Sequence, residues 1–368
     1  MILQFGAGNF LRAFVDLFAT QLNRDPATEI GPVVVVQSTG RERADALNRV
    51  GCRYHVVIRG FRKGALVDAI ENVDAIREVL HAGTQWSGVL DVAKDASLSM
   101  IVSNTTEAGL SLDPADNPGF DGVPLSFPAK LLAVLLVRFA AGGSAPWILP
   151  CELVENNATV LRELVLEQAA RWSVAEDALA WIREECRWVN TLVDRIVPGT
   201  PVGHPLLAED PLLLSAEPFA FWAIELSDVS AREFPLKSHP AVAIAADIGP
   251  FALRKVRVLN GAHSAMVCRA QGTEVETVRE FVEHPQLGPW LEELLFGEIV
   301  PVLEGRCDDP AKFARETLDR FRNPFLEHRL AAIALNHEAK VAVRLRPTLE
   351  EYREKFGKAP VRLSEILR

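Results

Sequence analysis

Lys255, Asn260 and His263 stand close together in the run Arg254-Lys255-Val256-Arg257-Val258-Leu259-Asn260-Gly261-Ala262-His263. A lysine, an amide and an imidazole can together donate to, polarise and take a proton from an alcohol or carbonyl oxygen. The apolar spacing predicts one helix over 251–270. At about 100° per residue, Asn260 falls roughly 140° round from Lys255 and His263 roughly 80°. All three then project within one arc. Spacing alone selects no chemistry, because any long helix offers such a trio. A solvated lysine, a helix-interior asparagine and a packed histidine fit the same pattern. The elements that would bring a substrate and a cofactor to this helix must decide.

The first such element is at the start of the chain. Ile2-Leu3-Gln4-Phe5 is a short apolar strand, Gly6-Ala7-Gly8-Asn9-Phe10 a glycine turn, and Phe14, Leu17, Phe18 and Leu22 mark a helix. Two glycines at a strand–helix junction let the backbone turn tightly and approach a pyrophosphate at the positive helix end. Leu11 stands where the third glycine of a dinucleotide fingerprint would be, so helix and strand should pack slightly further apart. An ordinary tight turn is the alternative. The Val33-Val34-Val35-Val36 run predicts a buried parallel strand. It leads into Gln37-Ser38-Thr39-Gly40-Arg41, with Arg43 beyond and no carboxylate at the strand end, which leaves NAD against NADP open.

Strands are predicted at 53–58 and 65–73, turned by Gly60 to Gly64, followed by a helix over 75–82. Another buried strand at 98–102 ends in Ser103-Asn104-Thr105-Thr106-Glu107-Ala108-Gly109. Polar residues there point into the ligand crevice of a parallel sheet, making Asn104 and Thr105 cofactor candidates. The stretch 113–124 reads as a loop, 128–140 as a helix and 147–152 as a strand and its exit. Asn156-Asn157 opens a further helix, 175–185 another, and 188–197 alternates as a strand with Asp194 and Arg195 near its end. This alternation predicts a Rossmann-like doubly wound sheet over 1–200. Four prolines and two glycines in 198–211 mark a boundary or a lid. A strand is predicted at 219–226, crossing back, and helices at 251–270, 275–283, 289–302, 310–321, 324–336 and 347–356 make a mostly helical domain over 201–368.

Composition narrows the function. With 39 basic and 49 acidic residues the net charge is −10, which disfavours nucleic acid and anionic membranes as partners. An anionic ligand would need local arginines. The five cysteines are scattered without a C-x-x-C pair, so neither a zinc site nor a disulfide framework follows, and reduced thiols in a cytosol fit best. No basic region precedes an apolar run at the N-terminus, and the apolar run 131–137 is too short to span a bilayer.

The glycine turn with Arg12, the segment Val193-Asp194-Arg195-Ile196 and the Lys255-x4-Asn260-x2-His263 spacing resemble the polyol-specific long-chain dehydrogenase/reductases, the mannitol dehydrogenase family. Ser103 to Gly109, Pro150-Cys151-Glu152-Leu153, Arg320-Phe321-Arg322-Asn323-Pro324 and Ile333-Ala334-Leu335-Asn336 are similar to its sugar-acid branch. Ala158 departs from the Asn-Gly pair usual after Asn157. The resemblance implies metal-free hydride transfer between NAD(H), with NADP(H) not excluded, and a secondary alcohol carbon. It implies the ketohexuronate tagaturonate as substrate, with fructuronate, mannitol or mannitol-1-phosphate as alternatives. It implies Lys255 as acid and base, its pKa lowered by burial beside a cation such as Arg254 or Arg257. Asn260 and Asn157 would then form an amide pair on the reacting oxygen. His263 would orient the substrate, Asp194 would tune the lysine or hold a hydroxyl, and Arg320 would bind the substrate carboxylate, with His328 and Lys130 as weaker candidates. Gly6, Gly8, Asn9, Phe10, Asn104 and Thr105 would hold the cofactor. Residues of both domains are expected to serve one site. A nucleotide-binding sensor without turnover is the reading from a different class.

Overall fold

The computed structural model describes residues 1–105, 109–116 and 122–367. Thr106, Glu107 and Ala108 of the crevice motif, and part of the 113–124 loop, lie outside the described residues. The chain divides into two compact units. The first is Met1–Val57, Ile70–Ala216 and Ala220–Ile248, and the second is Ile58–Ala69, Glu217–Phe219 and Gly249–Arg368.

The strands are β1 (Ile2–Phe5), β2 (Val33–Gln37), β3 (Tyr54–Arg62), β4 (Ala65–Val73), β5 (Ile76–His81) and β6 (Met100–Ser103). They continue as β7 (Trp147–Pro150), β8 (Arg187–Trp188), β9 (Thr191–Asp194), β10 (Leu214–Ala216), β11 (Phe221–Glu225) and β12 (Val242–Ala245). The main sheet of the first unit runs β5-β2-β1-β6-β7-β8, with every pair parallel. Relabelled within the sheet, this is the 3-2-1-4-5-6 order of a doubly wound nucleotide-binding fold. Its order reverses between β1 and β6, where a ligand crevice opens beyond the carboxyl ends of the strands. The continuous valines of β2 are all within 1% of full burial, as a strand covered on both faces requires.

The stretch 75–82 is a strand, not the helix that Ile76, Val79 and Leu80 suggest by their spacing. Ile76 pairs with Val33 and Glu78 with Val34, so the register skips at Arg77. The extra residue breaks the period-2 alternation and counterfeits a helical one. The alternating stretch 188–197 likewise splits into β8 and β9.

The first unit does not end near residue 200. After the Pro-rich segment the chain supplies β11 and β12 to a second sheet ordered β12-β11-β9, with Phe221 opposite Asp194. The prolines interrupt regular structure but do not release the segment. Asp210 accepts from the His55 backbone at 2.6 Å, and Arg12 donates to the Leu212 carbonyl at 2.6 Å. The residues 198–211 therefore form an anchored crossing.

The second unit is mostly helical around a core that includes Leu259, Ala262, Met266, Phe281, Leu291, Leu295 and Phe313. The expected helix at 251–270 is there in three parts: an α-helix at Gly249–Arg254, a π-helix at Lys255–Asn260 and an α-helix at Gly261–Arg269. The expected helix at 324–336 shrinks to Leu330–Ile333. Backbone bonds from Val278 to the His328 carbonyl (2.9 Å) and from Leu330 to the Glu276 carbonyl (2.8 Å) hold the preceding residues extended. No helix among the described residues is long and apolar enough to cross a membrane, and no metal-holding cluster of His, Cys, Asp and Glu occurs among them.

Candidate active site

One candidate region is a cavity of about 920 Å³ in the first unit, at the ends of β1, β2 and β6. Gly6, Ala7, Gly8, Gln37, Arg43, Asn104, Thr105 and Lys130 are among its lining residues. Gly6 has φ +128°, and a Cβ there would stand 3.1 Å from Leu11 Cδ1 and 3.2 Å from the Asn104 carbonyl oxygen. Only glycine tolerates both the conformation and the crowding. Leu11 thus fills the space of the missing side chain and is 1% exposed. A Cβ on Gly8 would meet nothing within 4 Å, so its backbone is open to approach. This cradle fits the diphosphate of a dinucleotide, which is held by backbone rather than by side chains.

Four of the six expected cofactor residues, Gly6, Gly8, Asn104 and Thr105, line the cavity. Asn9 and Phe10 do not. They form the short helical turn Asn9–Arg12, where Phe10 stacks on Phe14 at 4.9 Å. Asn9 lies against Gly199, where a Cβ would come within 3.0 Å of its amide nitrogen.

The organiser of the β6 end is Glu152, to which the sequence reading gave no role. Its carboxylate accepts from Ser103 Oγ (3.1 Å), the Thr105 backbone (2.8 Å) and Thr105 Oγ1 (3.1 Å). Burial raises its pKa, while these hydrogen bonds work in the opposite direction. An acid two residues past a buried strand was the available signal. Lys130 donates to the Leu125 carbonyl at 2.6 Å, and burial lowers its pKa against the pull of Asp116.

Asn157 is placed differently from expectation. It is 1% exposed, and its Nδ2 donates to the carbonyls of Pro150 (3.0 Å), Glu152 (3.1 Å) and Thr191 (3.1 Å). Its Oδ1 accepts from the Thr191 backbone at 3.0 Å. Two amide hydrogens already serve three acceptors, so no donor remains for a reacting oxygen. The left-handed Asn156 turns the chain into the helix Asn157–Arg171, and the Asn157 amide ties the ends of β7 and β9 to that turn. Asp194 is the buried last residue of β9, 7% exposed.

A separate candidate region is the π-helical segment of the second unit. A π-helix closes i→i+5 hydrogen bonds, so each residue turns through less than the α-helical angle. Asn260 therefore lies nearer the face of Lys255 than the 140° of a regular helix, and His263 follows three residues on in the α-helix. π-Segments gather at functional sites, although this chain has others at Trp181–Glu185 and Leu295–Ile299. Lys255 and Asn260 are half-buried, whereas His263 is 8% exposed.

His263 is the most informative of the three. Its ring stands 4.7 Å from that of Phe321 and 4.8 Å from that of His328. Nε2 is buried with no hydrogen-bond partner among the described residues. Burial, then the positive charge of His328, Arg320, Arg344 and Lys340, pushes its pKa well below the ordinary histidine value. It is a neutral imidazole with a buried, unmatched nitrogen, a costly arrangement that a ligand hydroxyl would relieve. Burial lowers the pKa of His328 as well.

The cations expected near this segment are engaged elsewhere. Arg257 donates to Thr348 Oγ1 (2.7 Å) and pairs with Glu351 (3.0 Å). Arg254 donates to the Asp308 carbonyl (2.8 Å) and covers the Phe313 ring at 4.5 Å. Arg320 is not the open fork expected for a substrate carboxylate. Its Nε and Nη2 hold Glu217 at 3.0 and 2.8 Å, both side chains are 2% exposed, and the guanidinium lies 4.2 Å over Phe219. The internal carboxylate takes the bidentate face first.

Residues 1–238 match the family description "Mannitol dehydrogenase Rossmann domain", and residues 247–364 match "Mannitol dehydrogenase C-terminal domain". The chain belongs to the mannitol dehydrogenase family. It is 38% identical over 373 residues to the altronate oxidoreductase of Bacillus subtilis (strain 168), covering 98% of this chain and 77% of that protein. It is 37% identical over 378 residues to the altronate oxidoreductase of Pectobacterium carotovorum subsp. carotovorum, covering 100% of this chain and 77% of the relative. Among solved structures, a D-sorbitol dehydrogenase in substrate-free form superposes with TM-score 0.84 at 23% identity, over 96% of this chain and 76% of the other. A Pseudomonas fluorescens mannitol 2-dehydrogenase in ternary complex with NAD and D-mannitol gives TM-score 0.77 at 21% identity, over 100% and 77%. These two likenesses speak for the fold. As a member of the mannitol dehydrogenase family, the chain is an oxidoreductase acting on a CH–OH group with a nicotinamide cofactor.

Proposed function

We propose that this chain interconverts a ketohexuronate and a hexonate, reducing tagaturonate to altronate with NADH. The observation that carries the substrate reading is the name shared by several relatives, altronate oxidoreductase, at identities of 37–38% across nearly the whole chain. A dinucleotide held in the first-unit cavity would supply the hydride for reduction of the ketone. The cradle of Gly6 and Gly8, with Asn104 and the Glu152-clamped Thr105 beside it, orients the dinucleotide. Lys255 delivers a proton to the substrate oxygen on reduction and takes it back on oxidation. Asn260 donates its amide to the same oxygen and stabilises the charge that develops there. Neutral His263 meets a neighbouring hydroxyl through Nε2. Asp194 holds a substrate hydroxyl. Asn157 and Arg320 act as positioning residues, the first on the strand ends and the second through Glu217.

Mixing the protein with NADH and tagaturonate should bleach the nicotinamide absorbance. Lys255→Ala should slow this at least ~100-fold, the usual share of a proton-transfer group, with an unchanged melting temperature. Equal turnover of fructose or mannitol would refute the uronate assignment and leave a polyol dehydrogenase.

A further inference from the structure

The adenosine end of the first-unit cavity has an unusual charge pattern. In the doubly wound fold, a carboxylate at the end of the second strand accepts from the ribose 2′-hydroxyl of NAD, and it would repel a phosphate placed there. Here β2 ends on Gln37, and that amide is committed on both sides. Nε2 donates to the Thr39 carbonyl at 2.8 Å and Oε1 accepts from the Ala44 backbone at 2.7 Å. The loop that follows, Ser38 and Thr39, also lines the cavity.

Arg43 lines the same cavity. Its Nη1 donates to the Ala7 carbonyl at 3.1 Å, which fixes the guanidinium beside the glycine turn. It has no carboxylate partner among the described residues, whereas its neighbour Arg41 is paired with Asp45 at 2.9 Å. Two acids line the cavity, Asp113 and Glu42, and Glu42 is turned back on its own helix start. Its Oε2 accepts from the Arg41 backbone at 3.2 Å and would lie 2.7 Å from a Cβ on Gly40. The ribose end therefore offers a tethered arginine beside Ser38 and Thr39 and lacks the strand-end carboxylate that would repel a phosphate. Planar, bidentate arginine is the side chain best matched to such a dianion.

We infer that this cavity also takes the 2′-phosphorylated dinucleotide, NADP(H), with Arg43 as the ligand of the 2′-phosphate. The inference rests on the dinucleotide reading of the cavity, and its test separates the two. Calorimetric titration of the whole protein with NADH and with NADPH should give dissociation constants within about tenfold of each other. Arg43→Ala should lower the NADPH-to-NADH affinity ratio at least about tenfold. Gln37→Asp, which restores the strand-end carboxylate, should move the ratio in the same direction without touching Arg43. Native binding of NADPH more than about tenfold weaker than NADH would overturn the inference and leave the dinucleotide reading intact. So would an Arg43→Ala variant that loses both cofactors equally, because the arginine would then grip the pyrophosphate. Failure of both dinucleotides to bind would remove the reading beneath it.

Discussion

Two buried carboxylates, one in each unit, are held in opposite ways. Glu217 of the second unit meets Arg320 through two short bonds, and both side chains are 2% exposed. Asp16 of the first unit is fully buried too, but its partners are distant or neutral. Gln4 Nε2 donates at 3.4 Å, Tyr54 OH at 3.3 Å, and Oδ1 has no partner. The nearby Arg12 gives its Nη2 to the Leu212 carbonyl and lies over the Tyr54 ring at 4.3 Å. Burial therefore dominates and lifts the Asp16 pKa to about 7, against the downward pull of Gln4, Arg12 and Tyr54. Burial alone does not decide the charge of a carboxylate. The geometry of its donors does. Asp16 is also linked to the nucleotide turn, because Gln4 Nε2 donates to the Gly6 carbonyl at 3.1 Å.

Breaking the stronger arrangement should have the largest effect. Arg320→Ala removes the bidentate partner of the buried Glu217, at a cost of about 3–5 kcal/mol in chemical denaturation. Pairing it with Glu217→Leu should recover much of that loss, as replacing both charges does at other buried pairs. Full stability in the single variant would mean that the pair contributes nothing.

The weaker arrangement should show itself in pH. An unfolded Asp16 loses its proton near 3.8, whereas the folded one keeps it to about 7. Its contribution is thus fully present below pH 3.8 and is lost as pH rises through about 7. The size is at most ~4 kcal/mol by linkage. Asp16→Asn should flatten the decline of melting temperature across this window, and an unchanged decline would place its origin elsewhere.

Smaller still is the effect on the turn that Gln4 joins to Asp16. Gly6→Ala should cost ~1–3 kcal/mol through its positive φ and its contacts with Leu11 and the Asn104 carbonyl. Gly8→Ala, with φ −68° and open space around it, should leave stability within ~0.5 kcal/mol. It should weaken dinucleotide binding all the same, since its methyl group occupies the approach to the backbone.

Local sequence determined the parts that depend on local physics. The valine run made β2, and the order of strands and helices made the parallel sheet. The glycine turn needs mostly neighbours close in the chain, Gly6 for its backbone angle and Leu11 to fill the gap, although the Asn104 carbonyl also crowds it. Lys255, Asn260 and His263 fall on helical turns, as their apolar spacing requires.

Tertiary structure decided where each polar group spends its hydrogen bonds. The bulge at Arg77 depends on the edge of β2, which no window around 75–82 contains. The π-helix at Lys255–Asn260 changes angles that a regular helix would have set. Asn157 and Arg320 carry the right chemistry for a reacting oxygen and a carboxylate. Yet the carbonyls of Pro150 and Thr191 and the carboxylate of Glu217 reach them first. Those acceptors lie up to 103 residues away in the chain. A side chain's type is written locally, but a hydrogen bond goes to whichever partner the fold brings within about 3 Å.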